Sequence, residues 1–203
     1  MISLQILNND ILESEKHMNF LKNTFEINND IKNYIQEYVK DDFTIRNLNK
    51  LSSTEILNFH AIITISQLEI SLVLKSLHFS KSNFEKIYRI KHSYLIIYET
   101  FNTLNILKRN LSEMCDNKAL AKEYAELNKL LREFRKFVDI ENKVKNIRNK
   151  ISGHITSNFS EYYSFIEVIN IEDDIDKLIR FRLVLNQLND FLFKLVIKPL
   201  IQD

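Results

Sequence analysis

SSTEILNFHAIITISQLEISLVLKSL, residues 52–77, is the stretch whose reading decides the fold. It opens with hydroxyl residues and Glu55, the chemistry of a helix start: a side-chain oxygen to satisfy orphan amide groups and an acid beside the positive end of the helix dipole. Apolar residues then follow from Ile56 through Phe59, Ile62, Ile63, Ile65, Leu68, Ile70, Leu72, Val73, Leu74 and Leu77. They wrap most of a helical surface, so the stretch predicts a central helix enclosed by others.

The whole chain supports that direction. Its 203 residues contain a single Gly and a single Pro. Tight sheet turns need residues that accept positive φ, and although the abundant Asn can substitute at some of them, a sheet-rich fold would be hard to turn. Hydrophobic residues make up 45% and charged residues 27%, which is enough apolar area to order a chain of this length. The expected fold is all-α, an irregular helical bundle of long antiparallel helices, with residues 1–50 as an N-terminal helical extension and residues 51–203 as the main bundle.

Outward from the central stretch, Ser82 and Glu85 have the spacing of a capping box that starts a helix carrying the stripe Phe84, Ile87, Tyr88, Tyr94, Leu95, Tyr98, Phe101 and Leu104. Such a stripe reads as core. A charged helix, 119–137, turns Leu127, Leu130, Leu131 and Phe134 inward. Asp139 can start another helix through Val144 and Ile147 towards Ile151, with Gly153 placed to end it. A short apolar piece spans 159–169, in which Tyr162 and Tyr163 read as core. The last helix begins at the acidic Glu172-Asp173-Asp174 and runs to about Ile201, near Pro199. In the polar N-terminal region, weak periodicity predicts two modest helices, around 11–25 and 31–39.

Several function classes lose their basis. A formal net charge of +1 creates no global field towards nucleic acid or anionic membrane, so any such binding must be local. The one cysteine, Cys115, cannot form an internal disulfide, which suits a reducing, cytoplasmic compartment. There is no secretory start, and the apolar run from Ile56 is interrupted at Glu69, so no membrane association is expected. HExxH, CxxC and phosphate-loop patterns are absent, no two of His60, His78 and His92 have the i, i+4 spacing of helical ligands, and neither metal nor cofactor is expected. Those three histidines read as structural, and His17 as solvated.

Reactive groups concentrate in one place. Between Asn142 and Ser160 lie Lys143, Lys145, Arg148, Lys150 and His154 with no acid among them. A local positive patch attracts phosphate, an arginine stabilises charge developing on phosphorus, and an imidazole moves protons near neutral pH.

The segment Arg148-Asn149-Lys150-Ile151-Ser152-Gly153-His154 resembles the HEPN superfamily, whose helical bundles carry an Arg, four to six residues, then a His, often with a polar residue directly after the Arg. The resemblance extends over about residues 52–200, although only those seven positions are specific. It implies a metal-independent endoribonuclease acting as a homodimer, with two copies of the motif facing each other, in a toxin or anti-phage defence setting where an antitoxin or defence-system partner protein restrains it. His154 would be the general acid or base, Arg148 would hold the scissile phosphate, and Asn149 would orient the phosphate or the imidazole. Lys150 and Gly153 would support the site, Lys143 and Lys145 would contact RNA, and Glu99 is the candidate to orient Arg148. Thr156 stands where some members carry a tyrosine modified by a partner nucleotidyltransferase, which puts that regulation in doubt.

Spacing sets a condition on this site. Six positions along an ideal helix turn about 600°, which leaves Arg148 and His154 about 120° apart, so a left-handed Gly153 is expected to swing His154 back. A second reading stays open. Arg148 and Lys150 also suit a helix C-terminus and Gly153 a plain cap, which would make the chain a non-catalytic helical interaction or RNA-binding module.

Overall fold

The computed structural model describes residues 2–38, 54–117, 120–149 and 159–196. The described elements are α1 (Leu4–Tyr38), α2 (Thr54–Phe79), α3 (Asn83–Asn117), α4 (Ala121–Phe137), a π-helical turn (Ile140–Val144) continued by a short helix α5 (Lys145–Ile147), then α6 (Phe159–Glu167) and α7 (Ile171–Val196). Every described element is helical, as the scarcity of turn formers requires.

The central stretch is α2, and it packs against α1, α3 and α7. Phe59, Ile63, Ile70 and Leu74 are sealed from solvent; removing each such side chain from water contributes about 1.5–3 kcal/mol. Its outer edge is not covered: Ile62, Ile65 and Leu72 are exposed. Leu57–Phe79 has the length and hydropathy to cross a bilayer, yet more than half of it is buried in the bundle, the pattern of a core helix.

α2 and α3 form an antiparallel pair whose buried hydroxyls meet, Thr100 Oγ1 donating to Ser66 Oγ at 2.9 Å. Their connection carries the expected capping box: the Glu85 amide donates to Ser82 Oγ at 3.1 Å, and the Ser82 amide to Glu85 Oε2 at 3.3 Å. α7 returns antiparallel to α2 and parallel to α3. Phe101, Phe134 and Phe181 stack where α3, α4 and α7 meet, with centroids 5.4–6.2 Å apart.

Three expectations change. The N-terminal region is not two helices over its described part but one, α1, which lies antiparallel along α2 and buries Leu7 and Leu21. Weak local periodicity was the wrong guide, because packing on a long neighbour stabilises a helix that propensity alone would break. In α3 the core face is Ile90, Tyr94, Ile97, Phe101, Leu104 and Leu111, with Ile87 packed against it, while Phe84 and Tyr88 are exposed, because at about 100° per residue they fall on a different side of the helix from that line. Tyr163 is exposed rather than core. The expected end of the last helix near Ile201 falls outside the described residues.

Candidate active site

α4 ends at Phe137, and Asp139 then takes φ 53° and ψ 62°. This left-handed turn replaces a straight entry into the next helix, at a cost that a non-glycine residue meets only where the surroundings hold it. Asn142 supports it by donating to Asp139 Oδ1 at 3.0 Å. The next turn is π-helical: the Val144 amide reaches back five residues to the Asp139 carbonyl at 3.1 Å. A π turn inserts one residue and shifts the helical phase of the residues after it, so Lys143 and Arg148 both face α3.

Arg148 lies at the end of this segment, its guanidinium 5.2 Å from the ring centre of Tyr98. It donates through Nη2 to Glu99 Oε1 at 3.2 Å and through Nη1 to Asn149 Oδ1 at 3.2 Å. The Arg148 and Glu99 side chains are 42% and 49% exposed, so the pair meets solvent and would be open to an incoming phosphate. A carboxylate, an amide oxygen and an aromatic face thus hold one guanidinium. Cation–π and ion-pair contacts of this exposure are worth about 0.5–1 kcal/mol each, enough to bias a rotamer.

The structure brings Arg148, Asn149 and Glu99 together. Lys145 stands exposed on the same segment. Lys143 is drawn inward: its Nζ donates to both oxygens of Asp174 at 2.8 and 2.9 Å and lies 5.6 Å from the Tyr94 ring centre. Burial lowers its pKa, and the Asp174 carboxylate opposes that shift. An RNA contact through Lys143 would have to break this cluster. Lys150, Gly153, His154 and Thr156 lie outside the described residues, as does the predicted left-handed turn at Gly153.

Sequence reasoning missed Tyr98 as the platform under Arg148, although it sits directly before Glu99 in the aromatic stripe. It also missed the π turn, for which the sequence carries no signal. Among the described residues no cluster of three or more His, Cys, Asp and Glu could hold a metal ion. Comparisons with family models, curated proteins and solved structures returned no match.

Proposed function

We propose that this chain is a HEPN-type endoribonuclease that works as a homodimer, in a toxin or defence system with a restraining partner protein, and cleaves RNA through Arg148, Asn149 and His154. The observation that carries the reading is Arg148 itself: a half-exposed guanidinium, fixed from behind by Tyr98 and from the side by Glu99, on the first residue of the Arg-x5-His pattern. The planar fork of arginine matches two phosphate oxygens, and a prepositioned fork stabilises the extra negative charge of a phosphorane more than it stabilises the ground state.

In this mechanism the ribose 2′-oxygen attacks phosphorus as one imidazole removes its proton. The P–O5′ bond breaks, and the leaving 5′-oxygen takes a proton from the imidazolium of the second copy, which becomes the neutral ring as the first becomes imidazolium. The products are a 2′,3′-cyclic phosphate and a 5′-hydroxyl. All electrons and protons are accounted for by RNA and two histidines, so the mechanism needs no metal. Lys145 and Lys150 would contribute long-range attraction for the backbone.

The test is incubation of wild type, His154→Ala and Arg148→Ala with total RNA in excess EDTA, followed by detection of cyclic-phosphate ends. Cleavage by wild type and a loss of about 100-fold or more in each variant is expected. RNA left intact by wild type across triggers and partners, together with a monomeric protein at every concentration, would favour the non-catalytic module.

A further inference from the structure

A second polar site lies where α1 joins the bundle. α1, α2 and α7 enclose an open groove of about 530 Å³, within the range typical of small-molecule sites. Its floor is a row of side-chain hydrogen bonds between α2 and α7. Thr64 Oγ1 donates to Asn189 Oδ1 at 3.3 Å, Asn189 Nδ2 to Gln67 Oε1, and Gln67 Nε2 to Asn186 Oδ1 at 2.8 Å. The row ends on Asn186, whose oxygen is engaged while its amide nitrogen still has donors to offer.

The wall from α1 differs. Ser14 lines the groove, is 4% exposed, and its Oγ has no hydrogen-bond partner. A helical serine normally donates to the carbonyl four residues back, and this one does not. His17, one turn on, has a buried Nε2 without a partner. Its ring meets His60 edge-on at 4.4 Å, and both nitrogens of His60 are buried and unpartnered. A buried polar group without a partner is costly to leave so, and here they gather beside one groove. Burial lowers the His17 pKa, so it presents a neutral ring.

The rim indicates which molecule the groove would take. Phe20 and Phe193 line the groove with large exposed surfaces, their ring centres 6.3 and 6.5 Å from that of His17. Lys16, the one lysine or arginine among the described residues of the rim, is tied to Glu13 at 2.8 Å, while Asp190 is an exposed carboxylate. Aromatic faces, a carboxamide donor, a hydroxyl and a carboxylate suit a flat nitrogen heterocycle with an exocyclic amine. A surplus of carboxylate over free cation disfavours a phosphate.

We infer that the groove between α1, α2 and α7 binds an amino-bearing nucleobase or its nucleoside, adenosine being the representative, with Asn186 donating to its edge, Asp190 accepting from its amine, and Phe20 and Phe193 flanking its ring. The site stands apart from Arg148, which faces α3, and does not depend on ribonuclease activity. Because α1 supplies one wall, occupancy also fastens α1 to the bundle.

The experiment is calorimetric titration of the full chain with adenosine, inosine and AMP, backed by thermal melting. Saturable adenosine binding is expected, about tenfold weaker for inosine, which lacks the amine, and no tighter for AMP. Asp190→Asn, at an exposed position, and Asn186→Ala should each weaken adenosine about tenfold. Arg148→Ala should bind as wild type, so that this result is read separately from RNA cleavage. No saturation through the millimolar range, tighter binding of AMP than of adenosine, or unchanged affinity in Asp190→Asn with its melting temperature intact would overturn the inference.

Discussion

Lys143 and Arg148 sit on one helical segment, face the same helix α3, and each lies over a tyrosine, Tyr94 and Tyr98. Their surroundings are otherwise opposite. Lys143 ends at Asp174, which is sealed from solvent and also accepts from Tyr94 Oη at 2.6 Å, Lys177 Nζ at 2.8 Å and the Asn170 amide at 3.1 Å. Burial together with the Asp174 carboxylate raises the Tyr94 pKa far above its ordinary value, so Tyr94 remains a donor. Arg148 ends at Glu99 in partial contact with water. One cation locks the segment to the start of α7; the other, one turn further, is positioned but available.

The largest expected effect breaks the anchored end. Asp174→Ala leaves two lysines facing each other in a confined space and frees the Asn170 amide, and should cost about 3–5 kcal/mol in chemical denaturation. A loss below about 1 kcal/mol would mean that Lys143 and Lys177 simply reach water, and the contrast between the two cations would dissolve.

A pH series extends the comparison to buried groups that lack partners. Burial, with His17 as a second cause, lowers the His60 pKa from 6.5 to about 3. Between those values the unfolded chain carries a proton that the folded chain refuses, so stability is fully present above pH 6.5 and falls as pH drops towards about 3. The slope should be about 1.4 kcal/mol per pH unit at most, and a fall of roughly 2–3 kcal/mol is expected over two units. Subtracting the same series for His60→Leu should remove that slope; an identical slope in the variant would assign the acid sensitivity to other groups.

At the available end the effects on stability shrink. Arg148→Ala should change unfolding free energy by less than about 1 kcal/mol while abolishing the proposed cleavage, a separation measured by running both assays on one preparation. Glu99→Gln should be smaller still, under about 0.5 kcal/mol and fading at high salt. A large loss of stability in either variant would show that Arg148 is structural, as Lys143 is.

Much of the scaffold could be read along the chain. The capping box at Ser82 and Glu85, the inward face of α4 at Leu127 and Phe134, and the acidic entry to α7 are local patterns, and local patterns survive in any tertiary setting. The candidate site was legible as a cluster of basic residues, but not which of them would be consumed by the fold. Lys143 and Arg148 look alike in sequence; only the arrival of Asp174, 31 positions away, separates them. His17 read as solvated because it lies in the polar N-terminal region, whereas its neighbours in space include His60 and Phe193.

What the sequence determined by itself is the all-helical class, since a chain with one glycine and one proline lacks the residues that turn sheets, and the start of α3, since its capping box is made by Ser82 and Glu85, three residues apart. What only the tertiary structure decided is the continuity of α1, the left-handed Asp139 with its π turn, and the sorting of polar side chains into buried partners and exposed tools. Those outcomes depend on groups distant in sequence competing for the same donors, acceptors and space, and that competition is settled only when the helices pack.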